Sequence, residues 1–202
     1  MKKLLLTIGL MGSAVVSQAQ IGTGWTQDSL SYSIQAPSGR YNYISAYDEH
    51  QFWIYPDDPL VVSGCGPRSE MRIGNDYTSG QHQWQGQVEV ISPTTETCIF
   101  QVFGGTTSAV QIQLWAVSGN LKRFDSQTLW SSIYGTYLTV NAIHDPAANN
   151  VTIYVNGSNR GTFTGAGAGT YYFKCGVYDQ SCHGTVSSKS SCNIKHIAIF
   201  HK

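Results

Sequence analysis

Charge is scarce in this 202-residue chain, and neither sign is in excess. Lys and Arg together number 12, as do Asp and Glu, so 12% of the residues are charged and the formal net charge is zero. An ordinary globular domain carries about 25% charged residues. The lack of a basic excess argues against a general nucleic-acid binder, and a hydrophobic content of 41% excludes a disordered chain. The length fits one folded domain with a sizeable core.

Long hydrophobic runs are absent apart from one near the N-terminus. A head of two lysines precedes the apolar run Leu4–Val16, and small residues lead up to Ala19. This order is typical of a secretory signal peptide, and the run is too short to span a bilayer comfortably. We therefore predict a signal peptide at 1–19, cleavage after Ala19, and a secreted, slightly acidic mature domain at 20–202 without a membrane anchor.

The five cysteines lack any CxxC or CxxH spacing, which makes a structural metal site a poor explanation for them. In a secreted chain cysteines are expected to form disulfides, and an odd number leaves one thiol over. Cys182 and Cys192 flank a Gly-, Ser- and Lys-containing segment that needs fastening, so we predict a bridge between them. Cys65 with Cys98 is the expected second bridge, and Cys175 is expected to be free.

Helical periodicity is almost absent after residue 20, and short β-branched and aromatic runs recur between turn residues instead. In Gln111–Ala116 polar and apolar residues alternate, as in a strand with one wet and one buried face. Asn156 and Gly157 follow another such run and predict a hairpin. The sequence therefore predicts a single all-β domain of two packed antiparallel sheets. The clearest predicted strands are Gln85–Ile91, Thr97–Phe103, Val110–Val117, Leu138–Ile143, Val151–Val155, Tyr171–Tyr178 and Ile194–Phe200.

Three segments carry polar or charged side chains at alternate positions within an apolar context, and in one of them, Ile99–Phe103, Gln101 and Phe103 share a face. Period two places Arg68, Glu70 and Arg72 on one strand face, with Met71 and Ile73 on the other. Near residue 175 the same period separates a polar set from a core-facing set. These sets are Lys174, Gly176, Tyr178 and Gln180 on one face and Phe173, Cys175 and Val177 on the other. Such clustering favours a polar cleft, and the alternative is an ordinary salt-bridged outer face.

The order of these motifs resembles polysaccharide lyase family 7, the alginate lyases, and their glucuronan-lyase relatives. The family pattern is R-[ST]-E-[LM]-R, then Q-[IV]-H, then Y-F-K-A-G-x-Y-x-Q, and this sequence has RSEMR, QVF and YFKCGVYDQ. The resemblance implies a β-jelly roll with an open cleft across one concave sheet, and cleavage of polyuronates by β-elimination. It also implies a cleft lined by Arg68, Glu70, Arg72, Gln101, Lys174, Tyr178 and Gln180, with Tyr178 as the catalytic tyrosine.

Two positions depart from the family pattern. Phe103 stands where the family has histidine, on the strand face shared with Gln101, and phenylalanine can neither accept a proton nor donate a hydrogen bond. Cys175 stands where alanine is usual. His50 is the first candidate for a replacement base. The alternative is that His50 is only a surface turn residue beside two acidic side chains. Otherwise Tyr178 acts alone, or the protein binds polysaccharide without cleaving it.

β-Elimination on a uronate needs a neutralised C5 carboxylate, a base for the C5 proton and an acid for the departing O4. Arg68 and Gln101 are suited to hold the carboxylate and the charge that builds on it. Tyr178 is suited to the acid role and even to both proton transfers, with Arg72 and Lys174 expected as cationic neighbours that favour its phenolate. The scheme needs no metal and no cofactor.

The expected function is a secreted, monomeric polysaccharide lyase that acts on an acidic polysaccharide of alginate or glucuronan type. Glu70, Arg72, Lys174, Gln180 and Phe103 are expected to contact the substrate around the catalytic groups. The alternative is a lectin-like, non-catalytic jelly roll that binds acidic polysaccharide, since five Trp and 12 Tyr offer stacking platforms for sugars. The tyrosine with its cationic neighbours favours the enzyme.

Overall fold

The structure of the protein is a computed structural model that describes residues 20–202. The predicted signal peptide at 1–19, with its cleavage site after Ala19, lies outside the described residues. The described part of the chain forms β-strands and one short 3-10 helix, Ser45–Tyr47. No helix in this part is long and apolar enough to cross a membrane.

The strands form two antiparallel sheets. Numbered in chain order, they are β1 (Thr26–Asp28), β2 (Tyr32–Gln35), β3 (Tyr41–Ile44), β4 (Glu49–Ile54), β5 (Arg68–Ile73), β6 (His82–Ile91), β7 (Thr97–Phe103), β8 (Val110–Val117), β9 (Asn120–Arg123), β10 (Gln127–Ser131), β11 (Tyr137–Asp145), β12 (Asn150–Val155), β13 (Ser158–Thr164), β14 (Tyr172–Asp179) and β15 (Ser190–His201). The eight-stranded sheet has the order β13-β12-β11-β6-β15-β4-β3, with β1 also paired to β15, and the seven-stranded sheet has the order β10-β9-β8-β7-β14-β5-β2. The predicted all-β class and the two packed antiparallel sheets are confirmed.

The strands named from the sequence are all present. Thr97–Phe103 and Val110–Val117 agree with the prediction at both ends, while the last strand is longer than predicted and starts at Ser190. The predicted hairpin joins β12 to β13, where Asn156 and Gly157 have positive φ angles of 49° and 75°. Two residues with positive φ form the turn that matches the twist of paired strands, which is why Asn-Gly predicts it well.

The core lies between the two sheets and confirms the alternation predicted for β5 and β14. Trp84 of one sheet packs on Phe100 of the other, with ring centroids 4.6 Å apart. The five side chains predicted to face the core are buried, with exposures of 0–1%: Met71, Ile73, Phe173, Cys175 and Val177. The polar set of each strand therefore points away from the core, toward the outer face of the seven-stranded sheet.

Strand pairing brings the three motifs side by side at the middle of the seven-stranded sheet. On β14, Lys174 is opposite Gln101 of β7 on one side and opposite a β5 residue on the other. Between Cys175 and Tyr178 the register with β7 shifts, which marks a β-bulge. Gly176 lies in this bulge with φ of 136°, and a side chain there would overlap the backbone of β5. Bulges re-aim the side chains that follow them, here Tyr178.

Candidate active site

A cleft of about 820 Å³ lies on the outer face of the seven-stranded sheet. Strands β5, β7, β8 and β14 supply its floor, and the segment 62–65 and the turn that carries His183 supply part of its walls. Six of the predicted site residues line it: Arg68, Gln101, Phe103, Lys174, Tyr178 and Gln180. Glu70 lies beneath these side chains, whereas Arg72 and His50 have other surroundings.

Glu70 is the centre of a buried polar cluster on the cleft floor. Its side chain is 1% exposed. One carboxylate oxygen accepts hydrogen bonds from Lys174 at 2.7 Å and from Arg68 at 3.2 Å, and the other accepts the Gln101 amide at 2.7 Å. Two cations and an amide thus compensate a carboxylate that burial alone would make costly. In the alternative of a salt-bridged outer face Glu70 would pair with both motif arginines, but Lys174 takes the place of Arg72.

The side chain of Gln101 is oriented by hydrogen bonds at both ends. Its amide nitrogen donates to Glu70, and its oxygen accepts from the amide nitrogen of Gln113 at 3.3 Å. The oxygen of Gln113 in turn accepts the indole N–H of Trp115 at 2.9 Å. An amide nitrogen has two N–H donors, so Gln101 keeps one for a ligand after bonding Glu70.

Tyr178 lies against the loop that walls the cleft. The backbone N–H of Cys65 donates a hydrogen bond to the phenolic oxygen at 2.7 Å. The guanidinium carbon of Arg68 lies 3.8 Å from the centre of the tyrosine ring. Because the oxygen accepts the backbone amide, its own O–H is left to donate toward the cleft. The cation against the ring is Arg68, whereas the sequence predicted Arg72 and Lys174.

The loop at Gly64 packs directly against the site, so a side chain there would displace the groups that it meets. A Cβ at Gly64 would overlap both the Tyr178 hydroxyl and the guanidinium of Arg68. Arg68 also donates to the Ser63 carbonyl at 3.3 Å, but its Nε is buried without a hydrogen-bond partner. The side-chain oxygen of Gln35, which lines the cleft, is likewise unpartnered. Unsatisfied buried polar atoms are rare, so both atoms are candidates for contacts with a ligand.

The disulfide joins Cys65 to Cys182, so both pairings predicted from the sequence, Cys182–Cys192 and Cys65–Cys98, are wrong. Cys98 and Cys192 are free thiols, and burial raises the pKa of each. Closeness in sequence misled the first pairing, because β15 carries Cys192 into the core while Cys182 stays on an exposed turn at the cleft edge. The prediction that Cys175 is free and buried is confirmed.

The cleft edge also brings three potential metal ligands together. The donor atoms of Cys65, Cys182 and His183 all lie within 4.8 Å of one another. The two sulfur atoms are bonded to each other, however, and a metal needs them as thiolates. This group is therefore a disulfide with a neighbouring histidine rather than a built metal site.

Phe103, at the position of the family histidine, forms part of an aromatic stack in the cleft. Its ring is 5.0 Å from that of Tyr172 with an interplanar angle of 22°. The guanidinium of Arg72 lies 3.9 Å from the centre of the Tyr172 ring and forms a salt bridge with Asp76 at 2.7 Å. Arg72 therefore supports the aromatic stack and does not contact Tyr178.

His50 lies on β4 of the eight-stranded sheet, away from the cleft. Its side chain is 3% exposed, its Nδ1 is 2.8 Å from the hydroxyl of Tyr41, and its ring stacks on Tyr43 with centroids 4.6 Å apart. Burial lowers its pKa. A buried ring in the other sheet cannot reach a sugar in the cleft, so the prediction of His50 as the base is wrong. It is not a surface turn residue either.

The cleft residues that sequence reasoning missed include Gln35, Gln113, Trp115 and His183. Gln113 belongs to the alternating run Gln111–Ala116, so its polar strand face was a usable signal. Trp115 follows two residues later and shares that face. Gln35 lies on a short edge strand and His183 on a turn, and neither place leaves a periodic signal in the sequence.

The chain is similar to known proteins over most of its length. The family model described as alginate lyase matches residues 16–201. A curated relative from Hevea brasiliensis, named citrate-binding protein, is 34% identical over 186 residues, which cover 87% of this chain and 77% of the relative.

Two solved structures share the fold. The alginate lyase AlgAT5 from polysaccharide lyase family 7 is 19% identical, with a TM-score of 0.65 over 83% of this chain and 84% of that one. The alginate lyase from Corynebacterium sp. is also 19% identical, with a TM-score of 0.65 over 83% of each chain. At this identity the likeness establishes the common β-jelly roll, as predicted, and leaves the chemistry of the cleft to be argued from its own residues.

Proposed function

The chain belongs to the alginate lyase family, and from that premise we propose that it is a secreted polysaccharide lyase that cleaves a polyuronate by β-elimination. The substrate is a polymer of uronic acids linked through O4, of alginate or glucuronan type. Cleavage leaves an unsaturated uronate at the new chain end. The residues of the cleft support the proton donor and the carboxylate-binding groups that this chemistry requires.

Tyr178 is the observation that carries the proposal. Its oxygen accepts the N–H of Cys65, and its O–H remains free to protonate a departing oxygen. A structural tyrosine uses that hydrogen within the protein, as Tyr134 does when it donates to the Thr94 carbonyl at 2.7 Å. The free hydroxyl of Tyr178, on the floor of a cleft that already holds cations, fits a general acid better than a packing role.

Arg68 and Gln101 are suited to bind the C5 carboxylate of the sugar. Arg68 has an unpartnered Nε, and Gln101 has one N–H left after its bond to Glu70. Hydrogen bonds from charged donors strengthen as negative charge moves onto the carboxylate in the enolate-like transition state. Glu70 does not contact the sugar in this scheme; it holds Arg68 and Lys174 in place from beneath.

The bond changes of the elimination balance without an added reagent. A base accepts the C5 proton, and the C5–H electron pair forms the C4–C5 double bond. The C4–O4 bond breaks as this double bond forms, and O4 takes the proton from the hydroxyl of Tyr178. The phenolate that remains faces the guanidinium of Arg68, whose charge stabilises it.

The stack of Phe103 and Tyr172 supports a sugar subsite beside the reaction centre. Both rings line the cleft, and aromatic faces are suited to pack against the apolar faces of sugar rings. Alginate and glucuronan both present a C5 carboxylate and an O4 leaving group, so the polar residues accept either. Phe103 in place of the family histidine changes the surface that meets the sugar and is the position at which substrate preference is expected to differ.

Secretion as a monomer completes the proposed function. The basic head and apolar run before Ala19 support export. The disulfide between Cys65 and Cys182 supports it as well, because such bonds persist in oxidising compartments.

A second candidate function is binding without cleavage, and two observations favour it. Phe103 removes a proton-transfer group from the family motif, and the relative with 34% identity is named a citrate-binding protein. In this case Arg68, Lys174 and Gln101 hold the carboxylates of an acidic polysaccharide, or of a small polycarboxylate such as citrate, and Tyr178 serves as a hydrogen-bond donor.

The two functions are separated by incubating the mature chain with alginate, glucuronan and other polyuronates while following the ultraviolet absorbance of the unsaturated product. Tyr178→Phe is expected to lower the rate by at least about 100-fold, the usual contribution of a general acid. Tyr154→Phe is the matched control, since Tyr154 lies on β12 of the other sheet.

Calorimetric titration of both tyrosine variants with oligouronates and with citrate completes the test. Product on one polymer, lost in Tyr178→Phe with binding retained, supports the lyase. Binding of polyuronate or citrate with no product on any polymer replaces the lyase by the binding function. Full activity in Tyr178→Phe contradicts the acid role.

A further inference from the structure

The proposed elimination needs a base for the C5 proton, and the position where the family has histidine holds Phe103. Of the six histidines in the sequence, five lie on strands of the eight-stranded sheet. These five are His50, His82, His144, His196 and His201. The sixth, His183, lines the cleft.

The turn that ends β14 sets the position of His183. Its backbone N–H donates to the Gln180 carbonyl at 2.8 Å, which closes a tight turn. The preceding residue, Cys182, is tied to Cys65 by the disulfide, so the turn is fastened to the loop 62–65 that also lines the cleft. A histidine next to this anchor is held at the cleft edge although its side chain is exposed.

Cys65 and Trp115 connect the surroundings of His183 with those of Tyr178. Cys65 donates its N–H to Tyr178, and its sulfur lies within 4.8 Å of a ring nitrogen of His183. Trp115 packs in one small cluster with Tyr178, and the His183 ring lies 5.3 Å from that of Trp115. His183 and Tyr178 both line this cleft, so an imidazole and a phenol are presented to the same ligand space.

The ring of His183 is free to act on a ligand. It contacts Trp115 at an interplanar angle of 57°, and no side-chain hydrogen bond or ion pair to another described residue occupies its nitrogens. A neutral imidazole nitrogen with an open lone pair is a general base at ordinary pH. The indole beneath it is itself held by Gln113, which continues to Gln101 and the carboxylate-binding end of the cleft.

We infer that His183 is the general base of the proposed lyase and takes over the role that Phe103 cannot perform. A ring nitrogen of His183 accepts the C5 proton, the C5–H electrons form the C4–C5 double bond, and the C4–O4 bond breaks. Tyr178 gives its proton to O4. Exchange with water then removes the proton from the imidazolium and returns one to the phenolate, so the enzyme regains its starting state. This inference rests on the proposed lyase function.

The test compares His183→Ala and His183→Gln with the wild-type chain on the polyuronate that the wild type cleaves. A lost base is expected to lower kcat by about 100-fold or more, with KM changed much less. The rise of kcat/KM with pH on the acid side, where the base must lose its proton, is expected to disappear in both variants. Added imidazole is expected to restore part of the activity of His183→Ala, because the small ring fills the space left by the side chain.

His201→Ala is the control, since His201 is exposed on the eight-stranded sheet and is expected to leave kcat unchanged. Thermal unfolding of each variant checks that the disulfide-linked turn is intact. A rate within twofold of wild type in both His183 variants overturns the inference while the lyase function stands. A fall in affinity alone, with kcat and the pH profile kept, makes His183 a binding residue and also overturns it. A wild-type chain that cleaves no polyuronate removes the lyase function and the inference together.

Discussion

Two polar clusters in this molecule offset the free-energy cost of burying polar groups in opposite ways. The cleft-floor cluster, formed by Arg68, Glu70, Gln101 and Lys174, buries charges and pairs them at 2.7–3.2 Å. The histidine cluster, at the eight-stranded sheet, contains the buried rings of Tyr77 and His144 and the half-buried ring of His82, and burial lowers the pKa of both histidines. There the Tyr77 hydroxyl meets Nδ1 of His144 at 2.8 Å, and His82 stacks on Tyr77 with centroids 3.7 Å apart.

The difference follows from which partners each cluster contains. Glu70 has two cations within hydrogen-bond distance, which compensate the cost of burying its carboxylate. His144 has an unpartnered Nε2, and burial lowers its pKa to about 4. A charged cluster is suited to a binding surface. A neutral cluster is suited to packing, and it lowers the stability of the fold when acid protonates it.

The largest effect is expected from removing the anion of the cleft-floor cluster. Glu70→Ala leaves Arg68 and Lys174 buried without a counter-charge and is expected to cost about 3–5 kcal/mol of unfolding free energy. Urea unfolding at neutral pH measures this loss. Asp57→Ala, at an exposed carboxylate, is the control and is expected to stay within about 0.5 kcal/mol. A loss below about 1 kcal/mol for Glu70→Ala would contradict this expectation. It would mean that hydration or rearrangement of the two cations replaces the lost counter-charge.

A smaller loss of unfolding free energy is expected when acid protonates the histidine cluster. Here the neutral state is the stable one, whereas the cleft floor is stabilised by paired charges. The pKa of His144 falls from 6.5 to about 4 on folding, so the neutral ring contributes stability above pH 6.5 that is lost as the pH falls toward 4. The loss reaches up to about 3 kcal/mol at the low end. Burial also lowers the pKa of His82, which adds in the same direction.

His144→Gln isolates this contribution, because glutamine does not titrate while carboxylates elsewhere titrate alike in both chains. The difference in unfolding free energy between the wild type and His144→Gln is expected to shrink steadily from pH 7 to pH 4. His201→Gln, at an exposed ring, is expected to show no such trend. Parallel pH curves for the wild type and His144→Gln would contradict a ring kept neutral by burial.

The part of the site that sequence could predict is the part set by local alternation. Period two separated Arg68 and Glu70 from Met71 and Ile73, and it assigned Cys175 to the core, because a strand turns successive side chains to opposite faces. Such assignments hold wherever a strand lies in the sheet. The match of motif order to a known family then implied that residues from all three motifs line one cleft, which alternation alone does not show.

The failures all depend on long-range placement. His50 lies on a well-formed strand, but only the pairing of β4 with β15 reveals that it belongs to the sheet without the cleft. The disulfide of Cys65 joins residues 117 positions apart, so it depends on where two loops meet after folding. His183 reaches the cleft through the same loop contact, and no local pattern signals it. Pairing partners and loop positions are therefore what the sequence left open.

The smallest effect is expected at Asp179. This buried carboxyl is intermediate between the charged cleft-floor cluster and the neutral histidine cluster. Ser190 and Thr97 donate to its Oδ1 at 2.6 and 2.9 Å, but its Oδ2 has no partner. Burial raises its pKa from 3.8 to about 6, so the protonated form contributes stability below pH 3.8 that is lost as the pH rises through 6. At pH 8 the ionised group is a cost, because no cation among residues 20–202 compensates it as Lys174 compensates Glu70.

Asp179→Asn removes the buried charge, which is a gain in stability. It also places an amide N–H group where Oδ2 has no hydrogen-bond partner, which is a loss, so the two changes partly cancel. We expect a gain of about 1 kcal/mol in unfolding free energy at pH 8 that turns into a loss at pH 4. Urea unfolding at the two pH values measures the change of sign, with the exposed Asp57→Asn as control. A variant that is less stable at both values would show that the hydrogen bonds from Ser190 and Thr97 outweigh the buried charge. Asp179 would then resemble the compensated carboxylate of the cleft floor.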